Sequence, residues 1–466
     1  MARRSAHAAE GGSGATPARR AAFEVLRRTF EGGAWADRAF RSAAERHRLE
    51  GRDRAFAQRL AYGAVQRRGT ADHFIECLAG RPTSKLDPPA LAALRLGLYE
   101  LLFERPGAEH AAVSEAVEVA KGRGRRRRAA AGLVNAVLRR AARERDPLLA
   151  GLDDSTPDGA AVAHSVPPWL ARRLWEELGA ASARSMLRAV NEPAERALRV
   201  NTLRAGPEEL LARLAGAGEA LRLAAAPDPL LAPPEAVVAT GPWGEPLRDA
   251  VAAGELVPQS RASQAVVAVL DPRPGERVLD LCAGPGIKAT AIAARTGDEG
   301  EVSAVEANPA RASELSELAE RLGARAIAVE VADAAEADLG EGYDRVLVDP
   351  PCTDLGALAA RPDARWRKRA GDAERLAGLQ RHILSRAGRA LRPGGTLVYS
   401  TCTISRAENE RVVAAALEGE AGLAADDLGA GHPGLASTHD PRFLQTRPDR
   451  DATTGFFIAR LHRGGS

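Results

Sequence analysis

Residues 277–290 read RVLDLCAGPGIKAT, and this stretch restricts the fold more than any other. Val278, Leu279 and Leu281 make Arg277–Cys282 a short buried strand with Asp280 near its end. Gly284, Pro285 and Gly286 then force a tight turn, and Ala289 to Ala294 continues as a helix. Strand, glycine turn and helix in succession form a parallel α/β unit. Bare backbone at such a turn lets a ligand come close, and the helix start offers unpaired N–H groups. A second strand, EVSAVE, ends in the carboxylate of Glu306, where a ribose diol is commonly held. A third run, RAIAVEVAD, carries Asp333 to the same edge. Together they predict a site for an adenosine-bearing ligand.

A chain of 466 residues exceeds one ordinary core, so two or three domains are expected. Residues 1–146 hold 29 Lys and Arg against 17 Asp and Glu, a net of +12. The rest hold 36 against 45, so the overall +3 conceals a basic front and an acidic remainder. Such a front points to a polyanion such as nucleic acid, with an arginine-rich solvated surface as the plainer alternative. Cys77, Cys282, Cys352 and Cys402 have no paired spacing, which argues against a zinc site or a disulfide framework and for a reducing compartment. No apolar run is long enough to span a bilayer, and the first sixteen residues lack the apolar core of a signal peptide. A cytoplasmic protein with no bound metal and no membrane contact is expected.

Taken in order, residues 1–16 read as a disordered tail and residues 17–146 as a helical domain. Ala22, Val25, Leu26, Thr29 and Phe30 share one helix face, with Asp53 a candidate cap for a second helix faced by Leu60, Ala61, Ala64 and Val65. Leu91, Leu94, Leu98, Leu101 and Leu102 form a third apolar stripe. The run KGRGRRRR, Lys121 to Arg128, reads as a solvated loop able to track a phosphate backbone. Residues 147–254 combine a proline-rich connector, a helix from Trp169 to Val190, and a small α/β segment opened by the alternating strand ALRVNTLRA. The α/β domain occupies 255–466.

In that domain Tyr343–Val348 is a buried strand, and Asp349-Pro350-Pro351-Cys352 is a stiff turn at its C-terminal end. Two prolines remove backbone donors and fix φ, which holds the Asp and Cys side chains in place. A helix over about Asp372–Leu391, an RPGG turn and the strand TLVYSTC follow, delivering Thr401-Cys402 to the same edge. Glu408-Asn409-Glu410 opens the next helix, and TGFFIARL closes the sheet as an antiparallel strand. Open parallel sheets bind ligands outside these strand ends. Cys282 reads as a small hydrophobe within its strand, whereas Cys352 and Cys402 at two neighbouring strand ends suggest chemistry.

Two resemblances sharpen this reading. The phrases DRAFAQRLAYGAVQRR, LRLGLYELLF, AVSEAVEVAK and GLVNAVLRR occur in the order of the NusB family of RNA-binding helical domains, which the front resembles. That implies RNA or protein binding and no chemistry. DLCAGPGIK, DPPCTDLG…RPDARW and LVYSTCT together resemble the RNA (cytosine-C5)-methyltransferases of the NOL1/NOP2/Sun group, and RVNTLRA fits the segment ahead of their catalytic domain. A NusB-like front narrows this to the branch acting on bacterial small-subunit (16S) ribosomal RNA. The resemblance implies a Rossmann-like domain using S-adenosyl-L-methionine, with RNA as partner and a monomer as the working unit.

Such chemistry wants thiols. Cytosine C5 is a poor nucleophile, and adding a thiolate to C6 turns C5 into an enamine-like carbon able to attack a methyl group. By the resemblance, Cys402 of the TC motif makes that attack and Cys352 of the PC motif helps release the product. Asp349 hydrogen-bonds and helps protonate the base edge, and Lys288 brings a positive charge near the methionine carboxylate or the reacting groups. Cofactor contacts are implied for Cys282, Ala283, Gly284, Pro285, Gly286, Ile287 and Lys288, with Glu306 near the ribose, Asp333 near the adenine, and Asp349 between cofactor and base. The target base must be extruded or single-stranded.

Three positions depart from the family pattern. Ile287 replaces the second glycine of a Gly-Gly pair, Asp354 stands where glycine is more frequent, and Gln259-Ser260 replaces Gln-Asp. A β-branched residue at a backbone needing φ > 0 would weaken cofactor binding. Two other readings stand beside the first: a transfer RNA cytosine-C5 methyltransferase of the same chemistry, which the NusB-like front argues against, and, on the strength of Ile287 and Asp354, a non-catalytic RNA-binding or ribosome assembly factor with a decayed cofactor site.

Overall fold

The computed structural model describes residues 14–104, 107, 109–121, 125–419 and 422–464. The chain forms two compact units: Met1–Leu187 with Arg361–Arg367, and Arg188–Ala360 with Lys368–Ser466.

The first unit is helical. Its elements are α1 (Pro17–Phe30), α2 (Ala36–Arg46), α3 (Gly51–Gln66), α4 (Arg68–Ala79), α5 (Pro88–Phe103), α6 (Glu109–Ala120) and α7 (Arg125–Arg143). After them come α8 (Arg145–Ala150), α9 (Pro157–Ala163) and α10 (Pro168–Ala189). Proline in the first turn of α1, α5, α9 and α10 fits where no N–H is needed. The apolar faces of α1 and α3 close around one core with α2. Helix α5 is buried nearly all round, from Leu94 to Leu102, which marks it as central. Its two buried charges are matched: Arg95 grips Asp72 at 2.7 and 2.8 Å, and Glu100 pairs with Arg19 of α1.

Several expectations change here. Residues 1–13 of the expected tail lie outside the described residues, but Thr16 is tied down, its N–H and hydroxyl reaching Glu115 at 2.8 and 2.7 Å. Asp53 lies in the first turn of α3 rather than at its cap. In the basic run, residues 122–124 lie outside the described residues, and Arg125–Arg128 begin α7 instead of a loop, since arginine is a good helix former. The expected helix at 169–190 is broken at Gly179, whose φ of 74° and ψ of 163° suit glycine.

The segment Arg361–Arg367 belongs to this helical unit although it follows the Pro-Pro-Cys turn in sequence. Asp363 accepts the Ala36 N–H at 3.0 Å, supplying the cap that Trp35 does not. Trp366 Nε1 donates to the Val65 carbonyl at 2.8 Å, and the buried Arg365 guanidinium donates to the Ser165 carbonyl.

The second unit carries two sheets. The smaller has the antiparallel order β2–β3–β1–β4, from β1 (Ala197–Val200), β2 (Leu221–Leu223), β3 (Ala236–Ala239) and β4 (Leu256–Pro258), flanked by α11 (Pro207–Gly216) and α12 (Glu245–Ala252). Strand β1 was expected to alternate, yet all four residues are buried. The reason is Arg199, which donates to Gln259 Oε1 at 2.8 Å and Thr290 Oγ1 at 3.2 Å. Just past it, the Asn201 amide donates to the carbonyls of Gly254 and Leu322. Strand β4 falls beyond the expected boundary at 254 but pairs with β1.

The larger sheet contains β5 (Arg277–Leu281), β6 (Glu301–Val305), β7 (Ile327–Glu330), β8 (Tyr343–Val348), β9 (Leu391–Thr401), β10 (Leu423–Ala425), β11 (Leu444–Gln445) and β12 (Phe457–Arg463). Its order is β10–β12–β9–β8–β5–β6–β7, with β11 on β12. The pairs among β5 to β9 are parallel, and β12 runs antiparallel to β9 as expected. Helices α13 (Arg261–Leu270) and α14 (Ile287–Arg295) cover one face through Val278, Val302, Leu347 and Val398. Helices α16 (Asp372–Ala390) and α17 (Glu410–Leu417) cover the other through Leu279, Leu281, Val346 and Tyr399; α15 (Pro309–Leu322) follows β6. Apolar residues facing both layers explain the continuous hydrophobic strands. From β5 the chain winds outward to β7, then returns to β8 on β5's other side, and that switch point is where doubly wound sheets bind ligands.

Candidate active site

The glycine loop leaves β5 at this switch point. Its positive-φ residues are Cys282 (67°) and Gly286 (100°), and Gly286 caps α14. Ile287 is the first helical residue, and it packs with Val257, Leu318 and Leu322. The conflict between a β-branched side chain and φ > 0 therefore does not arise. At Gly284 a Cβ would lie 2.3 Å from Glu306 Oε2, which accepts the Gly284 N–H at 3.0 Å. Glu306 Oε1 takes the Asn308 N–H at 2.9 Å. Asp333, past β7, closes an Asx turn on the Ala335 N–H.

Four carboxylates thus gather around the loop. Burial raises the Cys282 thiol far above its ordinary range, and Asp349, Asp280, Glu306 and Asp333 push it further. Asp280 is fully buried, neither oxygen has a hydrogen-bond partner among the described residues, and burial pushes its carboxyl up to about 8. A loop stripped of side-chain bulk and ringed by acids suits a cationic, diol-bearing ligand. S-adenosyl-L-methionine, a sulfonium with a ribose, fits that donor set.

Strands β8 and β9 bring the reactive groups alongside. Asp349 at the end of β8 is held by Lys288 of α14 and by the Ser400 hydroxyl at 3.2 Å. Burial would lower the Lys288 ammonium, but Asp349 outweighs it and the group is raised. Its Nζ also sits 5.0 Å from the centre of the Phe456 ring.

The two cysteines meet: Cys352 Sγ and Cys402 Sγ lie 3.3 Å apart. Cys352 is buried at 8% exposure, and Cys402 is half-buried. The hydrogen bond with Cys352, burial and the nearby carboxylates raise the Cys402 thiol well above its ordinary value. Asp354 Oδ1 accepts from Cys402 at 3.0 Å, while its Oδ2 pairs with Lys368 at 3.2 Å.

A buried network fixes this spacing. Glu408 accepts the Thr353 N–H at 2.9 Å and its hydroxyl, and Gln380 of α16 donates to Glu408 and to the Pro351 carbonyl. Glu408 precedes α17, which starts at Glu410, so its expected place in the helix becomes a brace for the Cys352 turn. Gly356 N–H donates to the Cys402 carbonyl at 3.0 Å. Sequence reasoning missed Lys368, Gln380 and Ser400, which carry no spacing signal, and took Asp354 only as a departure.

Known proteins bear on this geometry. A family model described as 16S rRNA methyltransferase RsmB/F matches residues 267–462, the NusB family model matches 16–143, and a ferredoxin-like domain of RsmF/B-like methyltransferases matches 166–231. A putative methyltransferase of Mycobacterium tuberculosis is 38% identical, over 96% of each chain. A probable ribosomal RNA small subunit methyltransferase B of Bacillus subtilis is 32% identical, over 97% of this chain and 99% of that one. A crystal structure of a protein designated PH0851 superposes with a TM-score of 0.78 at 27% identity, covering 96% of this chain and 98% of that one.

Proposed function

The chain belongs to the RsmB/F family of 16S rRNA methyltransferases, and from that premise we propose that it methylates C5 of a cytosine in small-subunit ribosomal RNA through a covalent Cys402–C6 adduct. Its cofactor is S-adenosyl-L-methionine, which supplies an electrophilic methyl group. The observation that carries the reading is the pair of thiols 3.3 Å apart at the carboxyl edge of a doubly wound sheet.

In this reading Cys402 adds to C6, and electron density moves to C5. Asp349, steadied by Lys288 and Ser400, hydrogen-bonds the polar edge of the pyrimidine and helps protonate it as charge builds at N3. Cys352 assists loss of the C5 proton, so that Cys402 can be expelled. The loop from Cys282 to Lys288, with Glu306 and Asp333, holds the cofactor. The helical front and the small antiparallel sheet grip the RNA. The relaxed backbone at Ile287 argues against a decayed cofactor site.

Bisulfite sequencing of small-subunit ribosomal RNA, with and without the protein, tests the reaction. Cys402→Ala is expected to abolish methylation. Cys352→Ala is expected to trap a protein–RNA adduct that survives a denaturing gel. Full turnover by the Cys402 variant, or an adduct needing both thiols, overturns these roles.

A further inference from the structure

We infer that Asp354 is the proton acceptor for the nucleophile, a catalytic residue whose carboxylate takes the Cys402 proton as the sulfur attacks C6. This rests on the Cys402 reading above and deepens it. The backbone of Asp354 holds φ at +57°, a conformation that glycine adopts freely and that an aspartate tolerates at some cost. That conformation aims Oδ1 at Cys402 Sγ, 3.0 Å away, against 3.9 Å to Cys352. The contact is thus asymmetric, favouring the attacking sulfur. Oδ2 is anchored by Lys368, whose Nζ also donates to the Cys352 carbonyl at 3.1 Å, so the carboxylate is fixed to the same turn that carries the second thiol.

The need for an acceptor follows from the thiol's surroundings. A thiol raised well above its usual range carries almost no thiolate at neutral pH. A base already hydrogen-bonded to it removes that penalty during attack. In the forward step the S–H bond breaks and its proton passes to Oδ1, the S–C6 bond forms, and the C5=C6 pair moves onto C5, where it takes the methyl group as that group's bond to the donor sulfur breaks and leaves a neutral thioether. On release the C5 proton passes to water with the help of Cys352, its C–H pair re-forms C5=C6 as the S–C6 bond breaks, and the departing sulfur recovers its proton from Asp354.

The test uses the full chain carrying Cys352→Ala, in which the adduct accumulates, with unmethylated small-subunit ribosomal RNA. Asp354→Asn keeps the side-chain shape, and Asp354→Gly removes the backbone strain, so a folding defect cannot account for both. Each is expected to slow adduct formation about 100-fold at pH 7. Each is also expected to turn a flat rate between pH 6 and 9 into one rising about tenfold per pH unit, as thiolate must then form without the base. Parent-like rates in either variant, or slowing with an unchanged pH profile, overturn the proposal. If the Cys352→Ala parent itself forms no adduct, the Cys402 reading fails first and this one falls with it.

Discussion

Asp280 is the residue whose surroundings most oppose its charge. It carries a carboxyl into the central strand β5, and burial, with Asp349 and Glu306 nearby, raises it from 3.8 to about 8 against the pull of Lys288. Between those values the folded state binds a proton that the unfolded chain has lost, so stability falls as pH rises through that window. The penalty is complete above pH 8 and on the order of a few kcal/mol. Asp280→Asn keeps the shape and removes the ionisation. Thermal melts should show the variant matching the parent near pH 4 and exceeding it by several degrees at pH 8; parallel curves from pH 4 to 8.5 would refute this. The sequence marked Asp280 only as a strand-end acid. Its state depends on the helical layers packed over both faces of the sheet, which no local pattern reports.

At the scale of elements, the Asp349–Gly356 loop is a rigid connector whose position other segments set. Gly356 touches backbone on two sides: its N–H donates to the Cys402 carbonyl, and its carbonyl accepts the Gly455 N–H at 2.8 Å. A Cβ there would lie 2.0 Å from the Gly455 carbonyl oxygen, and backbone cannot yield as a side chain can. Gly356→Ala is therefore expected to part the two thiols. Displacement of about 1 Å at reacting groups costs on the order of 100-fold in rate. Single-turnover methylation should fall by at least tenfold while calorimetric cofactor affinity, assigned by the proposed function to the β5 loop, stays within about threefold. Loss of both together would mean a collapsed domain rather than a shifted loop. The strand–turn–helix order of this region was legible from prolines, glycines and apolar runs. The brace of Glu408, Thr353 and Gln380 was not, because residues 353, 380 and 408 meet only once α16 and α17 cover the sheet.

For the whole molecule the charge asymmetry matters most. A front of net +12 ahead of an acidic remainder should dominate RNA affinity, and RNA binding by neutralised phosphates weakens steeply with salt. Changing Arg125–Arg128 to Gln is expected to flatten the slope of log affinity against log salt by about 3 if all four contact phosphate, at roughly 0.7–0.9 per lost contact. Filter binding across a salt series measures it, and an unaltered slope removes that turn of α7 from the RNA footprint. The units are also not the simple sequence blocks that composition suggests, since Arg361–Arg367 completes the helical unit with Asp363 at the start of α2 and Trp366 on the end of α3.

By itself the sequence determined the doubly wound catalytic sheet, the helical front and the convergence of two thiols at one edge. Those follow from periodicity, glycine turns and strand ends, which act over a few neighbouring residues. Only the tertiary structure decided that Asp354 lies on the Cys402 sulfur, that Asp280 is cut off from water, and that Arg199 spans from the small sheet to α14. Each depends on groups far apart in the chain, and burial and hydrogen bonding between such groups exist only after the layers close.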